Sequence, residues 1–363
     1  MDQVNLQDRE LKPLRGLPSW GGKAFARWIL KLLSMEEQPL SDQDQYISPI
    51  KGYFRRDRYF QPKLSAQSYS LEINSPHQSK SFSLEELKKL PQKKIVCVQE
   101  CAGNGNHLMG SAGLVGHCLW EGPTVQSVLE HYPDIQQTPY LVFRGLDNLG
   151  GIKKGYHYGL SIEEVINGKG IIALKMNGEE LSRRHGFPAR LVVPRIYSMS
   201  HVKWLSEIEL VKEPHSGIYN TKIYVNKEFQ DGKWVNVQAR WIDLKSYITR
   251  CEPLGDGSFR LSGFAWGGEE SISRVEISTD HGVSWTNAEL TTAELPSSLK
   301  EIEGVEYFGS WQCFSTVWRP EAGRYTIGSR AYSSSGQAQP LTQPENVKGH
   351  FNQCQIMWRK VDI

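Results

Sequence analysis

Apolar positions divide the chain before any residue chemistry is considered. Within residues 1–45, Phe25, Trp28, Ile29, Leu32 and Leu33 fall at i, i+3, i+4, i+7 and i+8, one face of a short amphipathic helix. Docking of that helix on its own protein is preferred to contact with a membrane surface. The segment reads as an N-terminal arm that ends in a polar linker through Asp42 and Asp44. Over 46–232, helical and strand patterns alternate. Ser83-Leu84-Glu85-Glu86 and Ser161-Ile162-Glu163-Glu164 are capping boxes, in which the serine oxygen and the glutamate three residues on satisfy orphan amides. The first predicts a helix through Leu87 and Leu90. Thr124 predicts a cap for a helix carrying Val125, Val128, Leu129 and Tyr132. Between them Lys94-Ile95-Val96-Cys97-Val98 is a β-rich run that ends in a glycine-rich loop.

From 233 to 363 the pattern changes to short alternating runs, such as Arg274-Val275-Glu276-Ile277-Ser278. An Asp280-His281-Gly282 turn follows. Similar runs recur at Phe314–Trp318, Tyr325–Ala331 and Gln355–Trp358, separated by Gly, Pro and Ser clusters. This spacing predicts an antiparallel sandwich of immunoglobulin type. The fold class is therefore α+β followed by an all-β sandwich domain.

Composition changes this picture only by exclusion. A chain of 363 residues suits two domains with separate cores. No apolar run approaches the twenty residues of a membrane span. A net charge of +2, from 42 basic and 40 acidic residues, argues against a dedicated nucleic-acid binder. Cysteines 97, 101, 118, 251, 313 and 354 form no CxxC pair and no disulfide framework. With acidic residues early and no apolar signal core, the expected compartment is the cytoplasm.

Three clusters carry candidate chemistry. The loop Gln99-Glu100-Cys101-Ala102-Gly103-Asn104-Gly105-Asn106 admits four readings. As a dinucleotide fingerprint it lacks the third glycine, where Leu108 stands. As a nucleophilic site it lacks a protease signature around Cys101. Cys101 as a buried structural thiol and Cys101 as a soft ligand for a sulfur-bound metal both remain open. The second cluster, Arg184-His185-Gly186-Phe187-Pro188-Ala189-Arg190 with His201-Val202-Lys203-Trp204, suits a loop gripping a phosphate or an acceptor-rich heterocycle. A solvated basic face is the plain alternative, against which the Gly-Phe-Pro insert and the repetition near Lys203 weigh. The third, Tyr53-Phe54-Arg55-Arg56-Asp57-Arg58-Tyr59, sets three guanidinium groups among aromatics; it is either an anion site or a surface charge cluster.

Taken together, these segments resemble the sulfite oxidase family of molybdenum–molybdopterin oxidoreductases over most of residues 50–363. The resemblance rests on Cys101-Ala102-Gly103-Asn104, Gly145-Leu146-Asp147, Tyr158-Gly159-Leu160-Ser161-Ile162, Met176-Asn177-Gly178, His185-Gly186-Phe187-Pro188-Ala189-Arg190 and His201-Val202-Lys203-Trp204, six matches in the family's order. Ser273–Ser278 and Gly328-Ser329-Arg330-Ala331 resemble the family's immunoglobulin-like dimerisation domain, which implies a homodimer. The resemblance implies that Cys101 is the thiolate ligand of molybdenum. It further implies that Phe54, Arg56, Asp57, Arg58, Asp147, His185, Arg190, Ser200, His201 and Lys203 hold the pterin and its phosphate. Tyr158 would be the tyrosine near the metal, and Arg56, Asn106 and His107 would meet the substrate anion. The catalytic set is then Cys101, Tyr158 and Arg56.

The implied function is oxidation of sulfite or a related small anion by oxygen-atom transfer. In this haem-free reading, electrons leave to an external acceptor such as a separate cytochrome. The alternatives are an S-oxide or oxyanion reductase on the same cofactor, and a non-catalytic binding or assembly protein that keeps the fold. Three positions depart from the family pattern. Asn106 stands where sulfite-oxidising members carry arginine, a loss of charge that weakens anion binding by about 2–5 kcal/mol. Arg58 stands where a histidine is common, and Arg195 replaces a glycine.

Overall fold

Local capping starts each short helix of the first domain. In this computed structural model, which describes residues 35–38, 43, 45–105, 113–130, 132–148, 155–267, 270–291, 295–349 and 351–363, Ser83 caps the helix Leu84–Lys89 and Ser161 caps Ile162–Asn167. Both capping boxes are complete, each with the N-cap side chain and the glutamate bonded reciprocally. Thr124 caps Val125–Leu129 by accepting from the Ser127 amide. The helix expected around Phe25–Leu33 lies outside the described residues.

Two five-stranded sheets build this domain. The first runs in the order Glu179–Glu180, Lys175–Met176, Val115–Pro123, Gln92–Glu100, Val305–Tyr307. The long hairpin Gln92–Glu100 with Val115–Pro123 is buried along most of its length, and Cys101 follows its first strand directly. The second sheet runs Ser79–Ser83, Ser70–Asn74, Leu205–Val211, Tyr140–Gly145, His157–Ser161. Ser70–Asn74 pairs parallel to Leu205–Val211, and its other neighbours are antiparallel. The core between these elements includes Leu71, Val98, Leu141, Phe143 and Ile208.

The second domain is a sandwich of two four-stranded sheets. One is Lys245–Pro253, Phe259–Trp266, Gln312–Trp318, Glu289–Thr291; the other is Thr286–Asn287, Ile272–Ser278, Arg324–Ser333, Arg359–Asp362. Leu261, Ala265, Val275, Phe314 and Ile327 fill the space between them. The last strand lies at Arg359–Asp362 and not at Gln355–Trp358, where its pattern was expected. Arg359 and Val361 point inward while Lys360 and Asp362 face solvent, which is the alternation a half-buried strand requires. Residues 355–358 instead form an irregular stretch whose Trp358 ring covers Gly328 and packs against His281. The change in sequence character near 233 falls in the hairpin Val225–Gln230 with Lys233–Gln238, which also pairs with Val347–Lys348.

Strand period couples the two domains. On Phe259–Trp266, Leu261 and Ala265 face the sandwich core, whereas Phe264 and Trp266 belong to the core of the first domain together with Tyr247 and Trp311. Phe264 and Trp311 stack with ring centroids 4.1 Å apart. The strands come close enough here to exclude a side chain. A Cβ added at Gly263 would lie 1.8 Å from the Tyr247 carbonyl oxygen and 2.9 Å from the Phe314 ring. Gly263→Ala should therefore lower unfolding stability by about 3 kcal/mol in urea melts. A variant as stable as the parent would contradict this packing.

Candidate active site

The loop that leaves Gln92–Glu100 is held in part by its own hydrogen bonds. The Cys101 amide donates to the Leu114 carbonyl at 2.9 Å, and the Leu114 amide donates to Asn104 Oδ1 at 3.0 Å. Cys101 is thereby presented at the floor of a cleft of about 750 Å³, part of it open to solvent.

Chain segments distant in sequence meet here. Phe54, Arg55, Arg56, Asp57 and Arg58 line the cleft. Asp147, His185, Arg190, His201 and Lys203 line it as well. Glycines allow the close approaches: a Cβ at Gly145 would lie 2.5 Å from the Lys203 carbonyl oxygen and 3.0 Å from Asp147 Oδ1. Gly186, at φ +108, ends the turn Arg183–His185, and a Cβ there would lie 3.1 Å from the Arg190 and Lys203 Cβ atoms. Arg195 takes φ +71, the left-handed conformation glycine adopts freely, and its guanidinium lies 3.9 Å over the Phe308 ring, away from the cleft wall.

Two expected residues are placed elsewhere. Tyr158 is enclosed in the core with Phe143, and its hydroxyl has no hydrogen-bond partner among the described residues. The tyrosines on the cleft wall are instead Tyr53, Tyr156 and Tyr224. Ser200 is buried with its hydroxyl donating to the Tyr197 carbonyl at 2.7 Å, while its neighbours Ser198 and Met199 reach the cleft. Asn106 and His107 lie outside the described residues. Tyr224 carried no sequence signal beyond one more aromatic in an irregular stretch. Gln99 stood in the quoted loop without an assigned role.

Charge dominates the interior of the cleft. Arg55, Arg56, Arg58, Arg190 and Lys203 outnumber the carboxylates Asp57 and Asp147. Asp57, 2% exposed, is bonded by Arg55 at 2.7 Å, by Gln61 at 2.7 Å and by Lys203. Burial alone would raise its pKa, but Lys203, Gln61 and Arg55 together hold it below the ordinary value. Burial drops Lys203 to about 8, partly offset by Asp57. Arg190 is 5% exposed and, among the described residues, makes no ion pair. Its Nη1 donates to the His185 carbonyl at 3.1 Å, its Nε has no partner, and burial lowers it to about 10. It therefore stays charged at neutral pH. Burial raises Asp147 to about 6, against the Tyr156 amide bonded to it at 3.0 Å.

The imidazoles are neutral donors. The Val193 carbonyl, 2.7 Å from His201 Nε2, can only accept, so the proton sits on Nε2 and Nδ1 accepts from Gln99 Nε2 at 3.0 Å. Burial, then Arg190, drops His201 to about 3. Burial, then Arg190 and Lys203, does the same to His185. Burial pushes the Cys101 thiol up, while the Gly103 amide and Arg56 pull it down. Burial and nearby Cys101 raise Tyr224 to about 12, so its hydroxyl is a neutral hydrogen-bonding group at physiological pH. Chemically, the cleft offers one soft sulfur, an excess of buried cations and several neutral donors. That donor set suits an anionic, heteroatom-rich ligand with a soft metal.

Residues 59–219 match the oxidoreductase molybdopterin binding domain family, and residues 245–363 match the Mo-co oxidoreductase dimerisation domain family. The chain is similar to the mitochondrial sulfite oxidase of Drosophila melanogaster, 28% identical over 82% of this chain and 56% of that protein. It is also similar to the mitochondrial sulfite oxidase of Mus musculus, 30% identical over 69% of this chain and 50% of that protein. The chain thus spans about half the length of these curated relatives. Among solved structures, the sulfane dehydrogenase SoxCD from Paracoccus pantotrophus shares the fold with a TM-score of 0.76 at 23% identity, over 99% of this chain and 91% of that one. Among the described residues, no helix is long and apolar enough to cross a membrane.

Neutral His201 sets a signed pH dependence. An unfolded histidine takes up a proton below about 6.5, whereas folded His201 resists protonation down to about 3. Its contribution to stability is complete above the unfolded value and is lost as pH falls toward the folded one. In urea unfolding below about pH 6.5, His201→Gln should therefore show a pH slope shallower by up to about 1.4 kcal/mol per unit. An unchanged slope would mean that the imidazole titrates normally.

Proposed function

Because the chain belongs to the sulfite oxidase family of molybdenum–molybdopterin oxidoreductases, we propose that it oxidises sulfite or a related small sulfur oxyanion and passes the electrons to an external acceptor. One observation carries this reading: a buried thiol, Cys101, and a buried guanidinium that makes no ion pair among the described residues, Arg190, share one cation-rich cleft. A buried cation whose Nε lacks a partner is costly to maintain, and an anionic ligand relieves that cost. The residues present fit the pterin cofactor on those grounds. When bound, the molybdenum–pterin group supplies oxygen-atom transfer and takes up two electrons.

Everything else is work for this chain's own side chains. Cys101 is the proposed thiolate ligand of the metal. Arg190 and Lys203 offset the cofactor's negative charge, with Asp57 holding Lys203 in place. His201, its tautomer fixed by Val193 and Gln99, and neutral His185 offer polarity without adding charge. Arg56 and exposed Arg58 draw the substrate anion toward the floor of the cleft, where partial desolvation strengthens the attraction. Tyr224 takes the hydrogen-bonding role first assigned to Tyr158, because its hydroxyl stays protonated beside Cys101. The second domain pairs two chains into a homodimer. Six free cysteines, mostly buried, suit the reducing cytoplasm.

The test uses protein made in a cofactor-competent host. Molybdenum stoichiometric with the chain is expected, with turnover of sulfite against ferricyanide. Cys101→Ser should reduce that turnover by more than the roughly 10–100-fold that follows loss of an outer-shell partner. Molybdenum without sulfite turnover, but with reduction of an S-oxide, would reverse the direction of the reaction. Absence of molybdenum, with Cys101→Ser indistinguishable from the parent, would leave only the non-catalytic alternative.

A further inference from the structure

Glu100 immediately precedes Cys101 and has 0% of its surface exposed. Both of its carboxylate oxygens are nonetheless occupied. Oε1 accepts from Lys245 Nζ at 2.6 Å and from Asn104 Nδ2 at 3.1 Å, and Oε2 accepts from Trp266 Nε1 at 2.9 Å. Lys245 and Trp266 face each other across paired strands of the sandwich domain, so two of the three donors come from outside the domain that contains the cleft. Lys245 is itself fully buried and also donates to the Tyr197 hydroxyl at 2.9 Å. Tyr197 donates in turn to Asn352 Oδ1, and the Asn352 amide returns to the loop by donating to the Ala102 carbonyl at 2.8 Å. At Gly105 the chain meets the second domain by contact: a Cβ there, φ +75, would lie 3.5 Å from Tyr247 Oη and 3.7 Å from Gln353 and Met357.

The cysteine loop is thus held from both sides by the second domain. A surface ion pair would tolerate loop movement, since water replaces either partner. Here no water-exposed alternative exists, and any shift of Glu100 leaves one buried charge without its counter-ion. We propose that Lys245 and Trp266 of the sandwich domain are positioning residues for Cys101, acting through Glu100, so that the second domain completes the active site in addition to pairing subunits. The register Lys245↔Trp266 places both donors on one carboxylate, and Asn104 ties that carboxylate to the turn carrying the thiol. The role of Cys101 toward a metal rests on the function proposed above; its placement by the second domain does not.

Two readouts separate those claims. In cofactor-free protein, the rate of Cys101 alkylation by iodoacetamide, followed by peptide mass spectrometry, reports loop placement alone. In loaded enzyme, the thiolate-to-metal absorption band reports the bond to Cys101. Lys245→Met should raise the alkylation rate about tenfold or more, because it strands a buried carboxylate, and should shift the absorption band. Trp266→Phe keeps the packing and removes one hydrogen bond, so a change of about two- to fivefold is expected. Val275→Ala, in the sandwich core away from the network, should leave both readouts at parental values. The proposal is overturned if folded Lys245→Met matches the parent in both readouts, or if Val275→Ala moves them equally. If Lys245→Met does not fold, Trp266→Phe decides on the same criteria. An accelerated alkylation rate in protein that never takes up molybdenum would support the positioning and sink the cofactor reading.

Discussion

A positive charge buried without an ion pair among the described residues is the constraint on which the cleft depends. Arg190 sits at 5% exposure against the Trp120 ring, with a carbonyl as its hydrogen-bond acceptor and an unpartnered Nε. Folding alone gives no reason to hold a guanidinium there, since desolvating an unpaired ion costs several kcal/mol. The surroundings are arranged to tolerate it. His185 and His201 are kept neutral, and Lys203 is matched by Asp57. Gly145 and Gly186 let these groups approach without steric conflict. An anionic ligand turns the same arrangement from a cost into a binding site.

A second buried charge acts in the opposite sense. Glu100 and Lys245 are paired and hydrogen-bonded on every side, so their role is geometric specification more than net stability. The pair joins the strand ahead of Cys101 to the sandwich domain across a seam that Phe264, Trp266 and Trp311 already seal. One cleft therefore draws on both domains: the first supplies the cations, and the second supplies two of the donors to the carboxylate that precedes Cys101.

What the sequence made legible was local. Both capping boxes, the Thr124 cap and the alternation of the sandwich strands follow from spacings of two to four residues. The segments around Cys101, His185 and Arg190, and His201 and Lys203 were recognisable because their chemistry is compact in sequence, and the fold brings them to one cleft. Less legible was which side chain of a run reaches the cleft. Ser200 lies between residues that reach it and Tyr158 lies two positions beyond Tyr156, which does, yet neither lines the cleft itself, a matter that spacing does not encode. Tyr224 follows a single turn of π-helix, Tyr219–Ile223, and nothing in its immediate sequence marks its position beside the thiol. The Glu100–Lys245 pair spans 145 positions and involves residue types usually found at surfaces, so only the folded chain reveals it.

The central claim, that Cys101 in this cationic cleft is a metal ligand, is tested most directly by anomalous X-ray scattering at the molybdenum edge from crystals of loaded protein. The account predicts a single strong peak per chain within bonding distance of Cys101 Sγ, in the cleft that Arg56, Tyr224 and Arg190 also line. A peak elsewhere in the chain, or metal-containing crystals with no peak at that sulfur, would contradict it.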